Sequence, residues 1–286
     1  MDPVAERAVA HTTATAANTA ATDPVIATAT ATAEAAASDW RLTGVGVGPG
    51  DPELLTLKAM RVLREADVVF APTTALDKPS RAERVVREAV GVEVRRLFFA
   101  LDDTGGLTEA RTTAWDEAAR IVLELFTSGA RRVAFATLGD PNVYSTFAYL
   151  ARTVADREPR VAVETVPGIT AMQDLAARVV LPLAEGGEPL TLLPAVAPDV
   201  RRALDAVRAA LSGPGTVVVY KGGRRLDELV DAVERAGRAD TAVLGTDLGL
   251  PTEWIGPLTS HPPGSAAPYF TTLIAPPPRG QRGGAL

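Results

Sequence analysis

The chain has 286 residues, 47% hydrophobic and 22% charged, with a formal net charge of −6. Cysteine is absent and histidine occurs twice, at His11 and His261, which excludes disulfides, thiolate metal sites and cysteine nucleophiles and disfavours a Ser-His-Asp relay. The acidic balance argues against nonspecific nucleic-acid binding, and no apolar run approaches the roughly 18–20 residues of a membrane helix.

Residues 1–38 are dominated by Ala and Thr. They cannot bury enough apolar surface to offset ordering entropy, so this extension reads as disordered. It lacks the basic start and continuous apolar run of a signal peptide. Together with the missing cysteines, that reads as a cytoplasmic chain. From Trp40 onward, β-rich runs alternate with helical stripes. Strands are predicted at 42–47, 68–71, 92–98, 132–137 and 161–166. Leu55, Ala59, Val62 and Ala66 share one helical face, and Trp115, Ala119, Val122 and Phe126 share another that ends before Gly129. Such alternation predicts a parallel α/β sheet. A turn-rich stretch at 181–189 opens a second region. Its strands are predicted at 190–193, 216–220, 242–244 and 271–275. Its helical stripes run through Val200–Leu211 and Leu226–Val233. The expected organisation is an extension at 1–38, an α/β domain at 39–183, a second at 184–275 and a flexible tail at 276–286, with mainly parallel sheets.

Three glycine/proline motifs each follow a predicted strand: GVGVGPGDPELLT (44–56), TLGDPNVYST (137–146) and VPGITAM (166–172). Open α/β sheets bind ligands beyond the carboxyl ends of their strands, and glycine there lets backbone groups approach a ligand. The first motif fails the dinucleotide fingerprint. The third glycine of G-x-G-x-x-G is replaced by Pro49 in one register and Asp51 in the other. That weakens a nucleotide-dependent oxidoreductase. No phosphate-binding G-x-x-x-x-G-K-[ST] occurs. Each motif also has a plain structural reading. Asp51 and Asp140, each followed by proline, are good helix N-caps, Tyr144 is a packing residue, and Pro167-Gly168 is an ordinary strand-to-helix turn.

Taken together and in order, the three motifs resemble the tetrapyrrole (corrin/porphyrin) methylase family over about residues 41–275. WDEAARIVLELFTSG (115–129), LPLAEGGEPLTLLP (181–194), YKGGRRLDEL (220–229) and PYFTTLIA (268–275) resemble its branch acting at C(20) of precorrin-2. The resemblance implies two α/β domains with S-adenosyl-L-methionine in the cleft between them. It also implies a tetrapyrrole acceptor, precorrin-2 or the cobalt-bearing cobalt-factor II, and a homodimer. It assigns Pro49, Leu138, Gly139, Asp140, Tyr144, Thr170, Ala171 and Lys221 to the cofactor. Two departures fall on the adenine side: Tyr220-Lys221 stands where Met-Lys is common, and Phe270-Thr271 where Phe-Ser is common. Neither metal nor covalent nucleophile is required for methyl transfer from a sulfonium. An acceptor rich in carboxylates calls for arginines. Arg81 and Arg84 are the first candidates, beside Gly48 of the first motif, and Arg224 and Arg225 follow. Candidates for collecting a proton from the acceptor carbon are Tyr144, Asp102 and Asp103.

Overall fold

The computed structural model describes residues 38–100, 106–196, 199–262 and 267–280. Two five-stranded sheets organise them. The first has the order β3-β2-β4-β1-β5, built from β1 (Arg41–Gly46), β2 (Val68–Thr73), β3 (Arg95–Phe98), β4 (Arg132–Thr137) and β5 (Ala162–Val166). Every pairing in it is parallel. Helices cover both faces. α1 (Leu57–Glu65) and α2 (Arg81–Val90) bury Ala59, Leu63, Val85 and Val86 on one side. α3 (Glu109–Thr127) and α4 (Phe147–Arg157) bury Val122, Phe126, Leu150 and Val154 on the other. Burial on two faces explains why β4 reads as a nearly continuous apolar run, and why β1, buried from its second residue, carries no charge after Arg41.

The second sheet has the order β6-β7-β10-β8-β9. Its strands are β6 (Leu190–Pro194), β7 (Thr216–Tyr220), β8 (Val243–Thr246), β9 (Trp254–Pro257) and β10 (Thr271–Ala275). Only β6 and β7 pair in parallel; the other three pairings are antiparallel. Parallel pairing therefore predominates over the two sheets together, and the second sheet is mixed. β9 was not anticipated. It is a four-residue edge strand, WIGP, whose Gly and Pro carry little strand signal. Conversely, β3 is shorter than the predicted 92–98, because Gly91 ends α2 in the left-handed region and the chain enters the ladder only at Arg95.

α6 (Val200–Leu211) and α7 (Leu226–Arg235) cover one face of this sheet with Val207, Leu211, Leu229 and Val233. The opposite face is covered by α5 (Ala171–Arg178), which follows β5 of the first sheet. Leu175 and Ala176 of α5 pack with Val218, Leu248 and Ile274. The strand-end motif that opens α5 is thereby tied to both sheets. The segment expected to trail from 276 is held as far as Arg279. Its guanidinium makes a two-point contact with the partly buried Glu188 and donates to the Pro182 carbonyl. Among the described residues, no helix is long and apolar enough to cross a membrane.

Candidate functional site

The three glycine motifs leave the carboxyl ends of β4, β1 and β5, three adjacent strands. Adjacency brings their backbones together. The Gly139 N–H donates to the Gly48 carbonyl at 2.7 Å, and the Val47 N–H to the Thr137 carbonyl at 2.9 Å. A Cβ on Gly46 would lie 2.6 Å from both the Gly139 oxygen and the Gly168 nitrogen, and one on Gly168 would lie 2.2 Å from that same oxygen. Glycine here is required by main chain meeting main chain.

Asp140 joins two of the motifs. One carboxylate oxygen accepts the Gly168 N–H at 3.0 Å and the other accepts the Asn142 N–H at 2.8 Å. It caps no α-helix, since α4 begins only at Phe147. Asp51 does act as a cap: it precedes the 3₁₀ turn Pro52–Leu54 and accepts the Glu53 N–H. Thr170 forms a capping box with Gln173 at the start of α5.

Beyond these turns lies one cleft. Pro49, Leu138, Gly139, Asp140, Tyr144, Thr170, Ala171 and Lys221 all line it, so the eight residues assigned to a cofactor by resemblance share a surface. Arg81 lines it as well. Gly48 sits just behind the lining, bridged to Gly139. Arg84 is engaged elsewhere: its Nη2 donates at 2.8 Å to the carbonyls of both Gly50 and Gly249. It thus fastens the first motif to the β8–β9 loop. Arg224 and Arg225 lie on the turn before α7, outside the lining, and Arg225 pairs with Glu228 at 3.2 Å. Asp102 and Asp103 fall outside the described residues.

The second sheet completes the walls with Tyr220, Leu248, Phe270, Thr271 and Thr272. Leu248 went unremarked in the sequence. Its segment LGTDLGL does follow a predicted strand and carries Gly245 and Gly249, the same strand-then-glycine signature as the three motifs. Gly249 is needed for contact too. Its added Cβ would lie 2.3 Å from the Gly50 carbonyl carbon.

Backbone strain concentrates here. Four non-glycine residues among those described have positive φ: Tyr144 (50°), Val180 (53°), Lys221 (61°) and Asp247 (51°). Tyr144 and Lys221 line the cleft, and Asp247 pairs with Arg81. Strained non-glycine backbone persists where surrounding contacts over-determine it, commonly at binding sites. Lys221 Nζ lies 5.6 Å from the ring centroids of both Tyr144 and Tyr269. Burial, then the neighbouring Tyr220, pushes the Tyr144 phenol above its ordinary range; burial does the same to Tyr220. Both phenols therefore hold their protons more firmly than a free tyrosine does.

The Tyr220 hydroxyl accepts the Met172 N–H at 2.9 Å in the first turn of α5. Tyr220→Phe is expected to leave that N–H without its partner and lower stability by about 1 kcal/mol. A shifted urea midpoint at constant slope would register it; an unmoved midpoint would make the contact energetically idle.

A family model described as Tetrapyrrole (Corrin/Porphyrin) Methylases matches residues 41–260. The chain belongs to this family. It is 32% identical over 248 residues to a precorrin-2 C(20)-methyltransferase of Sinorhizobium sp., covering 82% of this chain and 95% of that protein. A cobalt-precorrin-2 C(20)-methyltransferase of Salmonella typhimurium is 29% identical, with the same coverage of each chain. Among solved structures, uroporphyrin-III C-methyltransferase of Thermus thermophilus complexed with S-adenosylhomocysteine superposes with a TM-score of 0.54 at 25% identity. The match covers 82% of this chain and 97% of that one.

Proposed function

We propose that the protein transfers a methyl group from S-adenosyl-L-methionine to C(20) of precorrin-2 in cobalamin biosynthesis. The observation that carries this reading is the convergence of three glycine turns, from three neighbouring strand ends, on one cleft walled by both sheets. The cleft suits an adenosyl group and an amino-acid tail. Its walls are apolar at Val143, Leu248 and Phe270, with Thr170, Thr271 and Thr272 as buried polar contacts. Main chain is close at hand in the glycine turns, where Gly46 and Gly168 leave no room for a side chain against the Gly139 carbonyl.

When bound, S-adenosyl-L-methionine supplies a methyl group on a sulfonium, already activated for in-line displacement. The chain has to hold donor and acceptor in line and keep water out. Positioning of this kind contributes up to roughly 7–11 kcal/mol. Pro49, Leu138, Gly139, Thr170 and Ala171 hold the cofactor side. Asp140 keeps the second and third turns in register through the Gly168 N–H. Tyr144, half exposed, donates its hydroxyl to the Leu192 carbonyl at 3.4 Å and contributes its ring to the cleft wall.

The cobalt-bearing acceptor is the second reading, favoured by the similar match to the Salmonella relative. One assay separates the two. Purified protein is offered precorrin-2 and its cobalt complex side by side, with product regiochemistry read by NMR. Methylation of the metal-free acceptor at C(20) is expected. Methylation elsewhere, or of the cobalt complex alone, would refute the primary assignment. In calorimetry, S-adenosylhomocysteine is expected to bind at one site per chain. Binding of NADH without any S-adenosyl ligand would return the protein to nucleotide-dependent redox chemistry.

A further inference from the structure

We infer that Asp247 is a positioning residue that holds Arg81 at the cleft for an anionic group of the acceptor; this rests on the functional reading above. Arg81 opens α2 on the first sheet, whereas Asp247 belongs to the loop after β8 on the second. They meet across the cleft, with Arg81 Nη2 2.5 Å from Asp247 Oδ1. The guanidinium also lies over the Phe270 ring, 4.3 Å from its centroid. A carboxylate on one nitrogen and a ring against the plane restrict a side chain that otherwise carries much rotamer freedom. Among the described residues, Arg81 Nε and Nη1 have no hydrogen-bond partner, and Arg81 lines the cleft. These two nitrogens lie on either side of Cδ and form no common fork, so each is left to donate singly to a separate anionic oxygen.

Asp247 is itself held from several directions. Its second oxygen accepts the Thr252 hydroxyl at 2.9 Å, its N–H donates to the Phe270 carbonyl at 3.2 Å, and its carbonyl accepts the Leu250 N–H at 2.9 Å. Its φ of 51° is a conformation few side chains adopt, yet Asp and Asn tolerate it. A mere surface partner for an arginine would not need so many restraints. Their joint effect is to aim one carboxylate at Arg81.

The test is a double-mutant cycle. Asp247→Asn tolerates the same backbone and can keep the Thr252 contact while removing the charge. Binding of uroporphyrin III, a stable polycarboxylate macrocycle, is read by its absorbance; S-adenosylhomocysteine is read by calorimetry. Asp247→Asn is expected to weaken macrocycle binding about fivefold, the scale of immobilising one long side chain afresh. S-adenosylhomocysteine affinity should stay within about twofold. On an Arg81→Ala background, Asp247→Asn should have no further effect, because it acts only through Arg81. Four results would overturn the inference: unchanged or tighter macrocycle binding in Asp247→Asn, a further loss on the Arg81→Ala background, both ligands weakening in step, or no binding by the parent. Tighter binding would make Asp247 a competitor for the guanidinium. A parent that binds the macrocycle but methylates neither acceptor fails the functional reading alone and leaves the cycle decisive for Asp247.

Discussion

Gly168→Ala is expected to abolish S-adenosylhomocysteine binding, with an affinity loss of at least about a hundredfold, the scale of misplacing a site by an ångström. The added carbon would lie 2.2 Å from the Gly139 oxygen and 2.8 Å from two Gly46 backbone atoms. None of these is the mobile end of a side chain. Relief requires the second and third turns to part, which also pulls the Gly168 N–H from Asp140. Overpacking of this kind costs about 2–3 kcal/mol in stability. Gly237→Ala is the control. That position has φ +66° and no atom within 4 Å of the new carbon, so it should cost about 1 kcal/mol and leave ligand affinity alone. Parent-like affinity in Gly168→Ala would mean that the close packing of the turns does not shape the binding surface.

Glu83→Ala is expected to destabilise the fold by about 1–3 kcal/mol, because a fully buried carboxylate loses its charge-assisted hydrogen bonds and its capping contact while Arg96 and Arg87 keep access to solvent. The Glu83 side chain is fully buried on α2. Arg96 grips both oxygens, at 2.7 and 2.9 Å, and Arg87 approaches at 2.8 Å. The same carboxylate closes the capping box with Ser80. The hydrogen bonds from Arg96 hold the Glu83 carboxyl below its ordinary value of 4.5, against the opposing effect of burial. A lowered carboxylate contributes stability that is fully present above its unfolded-state value and is lost as pH falls through the folded-state value. Glu83→Gln should therefore flatten the fall in stability below about pH 4.5 while lowering the neutral plateau. Urea midpoints of parent and variant across the acid range would check this. Parallel curves would assign the acid loss to other carboxylates. Since α2 also carries Arg81 and Arg84, loosening it should be felt at the cleft.

Much of the fold was legible before any coordinates. β4 and β7 occupy the residues expected of them, because a doubly covered strand is an unbroken apolar run bounded by turn residues. The helical stripes at Trp115–Phe126 and Val200–Leu211 were equally plain, since one apolar face repeats every three or four residues. The eight residues found together in the cleft were legible for a different reason: the resemblance singles them out through short motifs that can be matched in one dimension. Arg84 shows the limit of that reasoning. As a cation on a helix beside Arg81 it has the same local claim to meet a substrate. It is four residues' worth of helix from Glu88 and reaches instead to two carbonyls far away in sequence. Asp140 shows another limit. Asp-Pro suggested a helix cap, but the carboxylate crosses to a different motif.

The amino-acid order by itself determined the strand–helix alternation, the three glycine turns and the family, because these depend on neighbours within a few residues. Tertiary structure alone decided that β4, β1 and β5 lie side by side, that α5 covers the second sheet, and that Asp247 meets Arg81 across 166 positions. Those are pairings between distant segments. They are selected by the packing of whole sheets and helices, whose energy is shared among many contacts and leaves no mark at any single position.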